Sequence, residues 1–363
     1  MGVPGNCQLT KIMTKMYQLK NRLLLFLPVG KYPYLTNFKK FDYQPKNILC
    51  MPSSGLGDVI MDAQAIHALK RKFPNARLSV LVHYNLGGDK VCRLMNSVDE
   101  TIDIKLKGYH WRQIIPFMLG RFWNLLFKLR KKRFDLTVVF WPNPIRRLLL
   151  AGIGSKHWLY SNLTDEYPVQ QNIRLLKQLG IEDTETAISS IFQVPEPADI
   201  SNLLPESLPR PFICVHPFCG MRWREWDKFE ELQNELVKLK GSVIVVGKRD
   251  GYKALKDVHN LVNNLSIAEL FWVIKNCDVF VTADSGPMHI GFALGKSTVA
   301  LFGPIAPDLR VPAGHGEKIK VIYKGPTSFG QITYAICRKK LDNSAMRPIT
   351  VEEVIKAVKE FLV

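Results

Sequence analysis

At 363 residues the chain is too long for one ordinary open-sheet domain and fits two of about 150 residues each. A hydrophobic fraction of 47% with 23% charged residues excludes a disordered chain and a core that needs covalent staples. The formal charge of +18 at pH 7 points to an acidic partner, and nucleic acid, an anionic membrane surface and a phosphorylated small molecule all satisfy it.

Residues 1–44 read as a basic extension in which lysines precede the apolar run Leu23 to Leu27. That run is too short for a signal-peptide core or a bilayer span, so neither export nor a transmembrane helix is expected. The seven cysteines have no CxxC pair and no regular spacing, which argues against a disulfide framework or zinc site and fits a reducing, cytoplasmic compartment.

From residue 45 short apolar runs alternate with longer amphipathic stretches, the pattern of βα units around a parallel sheet. Strands are expected at Asn47 to Met51, Arg77 to Val82, Thr101 to Lys105 and Leu136 to Phe140, with helices at Asp58 to Phe73 and about 110 to 132. The second of these helices mixes Trp111, Phe117, Phe122, Trp123 and Phe127 with cations. It suits either a membrane interface or a core-facing helix with a solvated basic face.

Pro195, Pro197, Pro205, Pro209 and Pro211 mark a linker, expected to break both helix and strand. The pattern then restarts with strands at Phe212 to His216, Ser242 to Val246, Val279 to Val281 and Thr298 to Phe302. Helices are expected at Trp226 to Lys240, Ser266 to Lys275 and Pro287 to Leu294, and a final one at about Val351 to Phe361 is amphipathic enough to brace two lobes. The division is therefore a Rossmann-like domain at 45–196, a linker at 197–211 and a second Rossmann-like domain at 212–363.

Four loops are candidates for chemistry. Ser53-Ser54-Gly55-Leu56-Gly57-Asp58 follows the first strand and opens a helix, where open α/β sheets bind ligands. It lacks the third glycine of a dinucleotide fingerprint, and Asp58 is also a fitting helix cap. Asp284-Ser285-Gly286-Pro287-Met288-His289 occupies the equivalent place in the second domain, with Pro287 suited to a first helical turn. Free N–H groups at that helix end favour a diphosphate, and Ser285 and His289 can add hydrogen bonds; a capped helix with a satisfied histidine is the plainer alternative. The loop after His216 carries Arg224, whose guanidinium can fork onto phosphate oxygens or simply be solvated. Asp250, in the turn after the next strand, can meet ribose hydroxyls or belong to a simple polar turn.

The string ILCMPSSGLGDVIMDAQAIHALKRKFPNARLSVLV, followed by CDVFVTADSGPMHIGFALGKSTVALFGP, resembles glycosyltransferase family 9, the ADP-heptose:lipopolysaccharide heptosyltransferases, from about residue 46 to the end. The resemblance implies a GT-B fold, two Rossmann-like domains facing a central cleft, with the acceptor held by the first and the nucleotide-sugar donor by the second. It implies Asp58 as general base, with Ser54, Gly55 and Gly57 in the acceptor-side loop, and donor contacts from Arg224, Asp284, Ser285, Gly286, Met288 and His289. Arg224 stands where many members carry lysine, and Cys219 and Gly220 where hydroxyl residues are expected, so the phosphate cradle differs in detail.

The expected activity is inverting transfer of a sugar, heptose from ADP-heptose, onto a lipid-linked or oligosaccharide acceptor of lipopolysaccharide type. No cofactor is expected, nor a metal, since no DxD-like pair stands where a metal–phosphate bridge would form. The anionic inner membrane face is a candidate peripheral partner. Another donor, a sugar-nucleotide epimerase, and a basic non-catalytic nucleic-acid or membrane binder are the alternatives, though no recognisable nucleic-acid module supports a nucleic-acid partner.

Overall fold

The computed structural model describes residues 34–53, 55–106, 111–161, 167–182, 190–312, 316–325 and 342–362. Most of the basic extension and Ser54 lie outside them. Two compact units are present, each built on one six-stranded sheet.

The first sheet comprises β1 (Tyr34–Thr36), β2 (Asn47–Met51), β3 (Arg77–Val82), β4 (Glu100–Asp103), β5 (Leu136–Val139) and β6 (His157–Ser161), in the order β1-β6-β5-β2-β3-β4. Strands β2 to β6 pair in parallel, while β1 runs antiparallel along the edge of β6. A parallel sheet must be covered on both faces, and Ile48, Leu49, Cys50 and Met51 are all fully buried. Leu49 and Met51, two apart and so on one face, pack with Leu81, Val139, Phe122 and Leu126. Helix α1 (Leu56–Lys72) follows β2, α2 (Phe122–Lys131) precedes β5, and α3 (Pro144–Ile153) follows it. Asn143 starts α3 by accepting the Arg146 N–H at 2.9 Å, with Pro144 in the first turn.

The second sheet holds β7 (Phe212–His216), β8 (Ser242–Val245), β9 (Val258–Asn260), β10 (Val279–Ala283), β11 (Ser297–Phe302) and β12 (Ile319–Tyr323), all parallel, in the order β12-β11-β10-β7-β8-β9. Its helices include α4 (Phe229–Leu236), α5 (Ile267–Asn276), α6 (Gly286–Ala293) and α7 (Val351–Lys359). Ser266 with Glu269, and Thr350 with Glu353, close capping boxes at the starts of α5 and α7. Val351, Val354, Ala357 and Val358 seat α7 in the core of this same unit, against α4, β11 and β12.

Several details differ from the pattern in the sequence. The linker is not wholly irregular: Asp199 caps a short helix, Ile200–Leu203, by accepting the Asn202 N–H at 3.1 Å. The long aromatic helix is broken by a π turn at Phe117–Arg121. The helix expected from Trp226 starts only at Phe229, because Arg222–Arg224 forms a 3-10 turn and Trp226 is fixed by its Nε1–H donating to the Ile349 carbonyl at 3.2 Å. Strands β1, β6, β9 and β12 have no clear alternating signature, and pairing with a formed neighbour places them.

Candidate functional site

In the second sheet the chain builds outward from β7 through β8 to β9, then returns to the other side of β7 and builds through β10 to β12. The loops leaving β7 and β10 therefore diverge and open a crevice at the carboxyl ends of these strands. They are the loops that carry Arg224 and the Asp284 to His289 segment. The first sheet reverses in the same way between β2 and β5.

Strand β10 ends at Ala283, Asp284 follows almost fully buried, and Ser285 is the extended N-cap of α6, with φ −152° and ψ 171°. The Ser285 hydroxyl does not cap the helix. It lies 3.2 Å from His216 Nδ1 at the end of β7 and 3.5 Å from Thr282 Oγ1. Pro287 has no N–H and the Met288 N–H donates to the Ser285 carbonyl at 3.2 Å, so what this helix end offers a phosphate is the Gly286 N–H and the positive end of the helix dipole.

Arg224 joins the two loops. Its Nη1 is 3.4 Å from Asp284 Oδ2 and donates to the Asp284 carbonyl at 3.3 Å. The guanidinium stacks 4.5 Å from the Trp223 ring centroid. The Cys219 thiol, held protonated by burial, points its hydrogen at the Asp284 and Arg224 carbonyls, at 3.7 and 3.6 Å. A residue type unsuited to binding phosphate here serves to fix the loop.

His289 lies one turn into α6, buried, and its pKa is pushed down to about 4, by burial first and then by the Arg310 charge, with Asp284 and Asp58 acting in the opposite sense. Burial pushes His216 to about 4 as well. Both imidazoles are neutral at neutral pH. Residues Leu56–Met61, the start of α1, group with this second unit. A Cβ on Gly57 would stand 2.6 Å from His289 Cδ2 and 3.1 Å from Gly286 Cα, and one on Gly286 would stand 3.2 Å from Leu56 Cδ2. Two glycines facing each other allow this approach, and it brings Asp58 into the electrostatic environment of His289.

The remaining expected residues are placed less centrally. Asp250 is exposed in the turn after β8. Its neighbour Arg249 pairs with Glu225 and stacks 5.2 Å from the Phe218 ring centroid. The Met288 side chain is fully buried with Ala300, Phe302 and Val311, so what that position offers a ligand is backbone. Gly55 is half-buried.

Three contributors were missed in the sequence. His216 orients Ser285, Arg310 adds positive charge near His289, and buried Asp62 shapes the loop after β2. The two oxygens of Asp62 accept the Ser53 N–H at 2.8 Å and Asn172 Nδ2 at 2.5 Å. The spacing Asp58, Asp62 on one helix was the available signal for the last; nothing local marked the other two.

Comparison with known proteins identifies the family. The family model for glycosyltransferase family 9 (heptosyltransferase) matches residues 155–326. Lipooligosaccharide heptosyltransferase 2 of Campylobacter jejuni serotype O:2 is 46% identical over 266 residues, covering 69% of this chain and 78% of that one. Among solved structures, a glycosyltransferase family 9 protein from Veillonella parvula aligns with a TM-score of 0.72 at 19% identity, over 89% of this chain and 99% of that one. The ADP-heptose lipopolysaccharide heptosyltransferase II of Escherichia coli aligns at 0.64 with 20% identity, over 87% and 98%. The fold is GT-B, and the chain belongs to glycosyltransferase family 9 as a glycosyltransferase of the heptosyltransferase type.

Proposed function

We propose that the chain transfers heptose from ADP-heptose onto the inner core of a lipopolysaccharide or lipooligosaccharide, with inversion at the anomeric carbon and without a metal. The observation that carries the reading is the Arg224–Asp284–Ser285–His289 cluster at the crossover of the second sheet, with Asp58 within electrostatic reach. The relatives' names, which specify ADP-heptose and lipooligosaccharide, supply the donor and acceptor classes.

In this mechanism the acceptor hydroxyl oxygen bonds to the anomeric carbon as the bond from that carbon to the diphosphate oxygen breaks. Asp58 takes the hydroxyl proton, and ADP departs with the bonding electron pair. Negative charge grows on the departing diphosphate, where Arg224, the Gly286 N–H and the positive end of the α6 dipole stabilise it. Neutral His289 donates a hydrogen bond there without needing to be protonated first. Asp284 holds Arg224 in place, and Asp250 meets the ribose. The second domain thus serves as the donor domain and the first as the acceptor domain.

A lipid-linked acceptor places the enzyme peripherally on the cytoplasmic face of the inner membrane. Among the described residues no helix is long and apolar enough to cross a membrane. The direct experiment offers the purified chain ADP-heptose or UDP-sugars, with and without a heptose-free core acceptor, in buffer with and without EDTA. Acceptor-dependent ADP release with glycan extension, insensitive to EDTA, is expected; extension from a UDP-sugar but not from ADP-heptose would overturn the donor assignment.

A further inference from the structure

The helical stretch Trp111–Lys131 buries one face and leaves another apolar face uncovered. Phe117, Phe122, Leu125, Leu126 and Leu129 lie in the core of the first unit. On the outside, Ile115 is 51% exposed, Leu119 80%, Trp123 51% and Phe127 59%, and Leu148 of the adjacent α3 adds 43%. The four helical positions are spaced by four, which in an α-helix drifts about 40° per step around the axis. The wider π turn at Phe117–Arg121 offsets that drift and keeps them in one stripe. The same turn brings Phe117 and Phe122, five apart, together on the core side with ring centroids 6.0 Å apart.

This stripe lies in a cationic field. No Asp or Glu occurs between Asp103 and Asp135, and Arg112, Arg121, Lys128, Arg130 and Lys131 are exposed. Beside Phe127 a hollow of about 450 Å³ is lined by Asn124, Lys128, Lys131 and Lys132. A second copy of this face would set cations against cations, so charge complementarity requires an anionic occupant.

We propose that this face docks onto an anionic phospholipid bilayer. Leu119, Trp123 and Phe127 enter the acyl boundary while Lys128 and Lys131 engage headgroup phosphates, the arrangement of an interfacial helix; Lys132 is held by Glu100 at 2.7 Å. The proposal deepens the reading of a lipid-linked acceptor, and its test does not pass through catalysis.

The test is co-sedimentation of the full chain with phosphatidylcholine vesicles, with and without phosphatidylglycerol, at low and high salt. Binding that needs the anionic lipid and weakens with salt is expected. Leu119→Ser/Phe127→Ser should cut partitioning about ten-fold, and Lys128→Gln/Lys131→Gln about five-fold per cation at low salt. The vesicle-induced blue shift in tryptophan emission should shrink in Trp123→Phe. Both double variants should turn over a delipidated core acceptor like the parent, so loss of heptosyl transfer with vesicle binding intact would count against the activity and not against this surface. Parent-like partitioning of both double variants would overturn the proposal, as would stripe substitutions that dissociate an oligomer and leave vesicle binding unchanged.

Discussion

The two sheet crossovers are built alike and furnished differently. At the second, between β7 and β10, an ion pair, a stacked guanidinium, two neutral histidines and a helix N-terminus converge within a few residues. At the first, between β2 and β5, buried Asp62 fixes the loop through Ser53 and Asn172. In the proposed reaction the difference matches two kinds of ligand. A diphosphate has a fixed charge and shape that a preset cluster can anticipate, whereas an acceptor hydroxyl needs a loop held still and one carboxylate near its proton. Asp58 follows Gly57, which faces the His289 ring at the start of its helix.

The largest test of that division is Asp58→Asn. Turnover should fall by about 10² to 10⁴, the usual share of general base catalysis, while ADP-heptose affinity measured by calorimetry stays within about three-fold. Equal loss of donor binding would move Asp58 from the acceptor side to the donor side. Arg224→Ala attacks the other crossover and strands the buried Asp284 carboxylate. A stability loss of about 3–5 kcal/mol in urea unfolding is expected, with weakened ADP binding. Arg224→Lys should restore most of the stability and less of the binding, because an ammonium cannot fork onto two oxygens.

Acid should weaken the second unit. His216 and His289 titrate near pH 4 when folded and near 6.5 when unfolded, so the unfolded chain takes up protons earlier. Stability is complete above about pH 6.5 and declines as the pH falls toward 4, by about 3 kcal/mol per imidazole at the bottom of the window. Thermal melts of the parent and of His289→Gln across that range check it; the variant's slope should be shallower. The smallest effect is at the first crossover: Asp62→Asn keeps the shape but turns one acceptor oxygen into a donor, at a cost of about 1–3 kcal/mol. Turnover should fall with ADP affinity unchanged.

Much of this was readable from residue order alone. The buried strands Asn47–Met51, Phe212–His216 and Val279–Ala283 announce themselves as short apolar runs, and the glycine-bearing turns after the first and last of them mark where a ligand approaches. What was hidden depends on pairing across long separations. His216 and Ser285 are 69 residues apart and meet only because β7 and β10 are neighbours. Arg310 enters the histidine's field from beyond β11. Strand β6 carries the aromatic, uneven string HWLYS, which has no period until β5 templates it. The π turn was equally invisible; it accompanies the joint burial of Phe117 and Phe122, five residues apart.

The antiparallel strand Tyr34–Thr36 has a practical consequence for anyone trimming the chain. It occupies the outer side of β6, and just beyond it Asn37 accepts the Trp158 N–H at 2.8 Å and donates to the Lys156 carbonyl at 2.8 Å. Cutting at residue 45, where the family likeness begins, would strip this cover and leave an aromatic edge with unsatisfied amides and carbonyls. Such an edge recruits other strands, so the shortened protein should clump on concentration where one beginning at residue 30 stays dispersed.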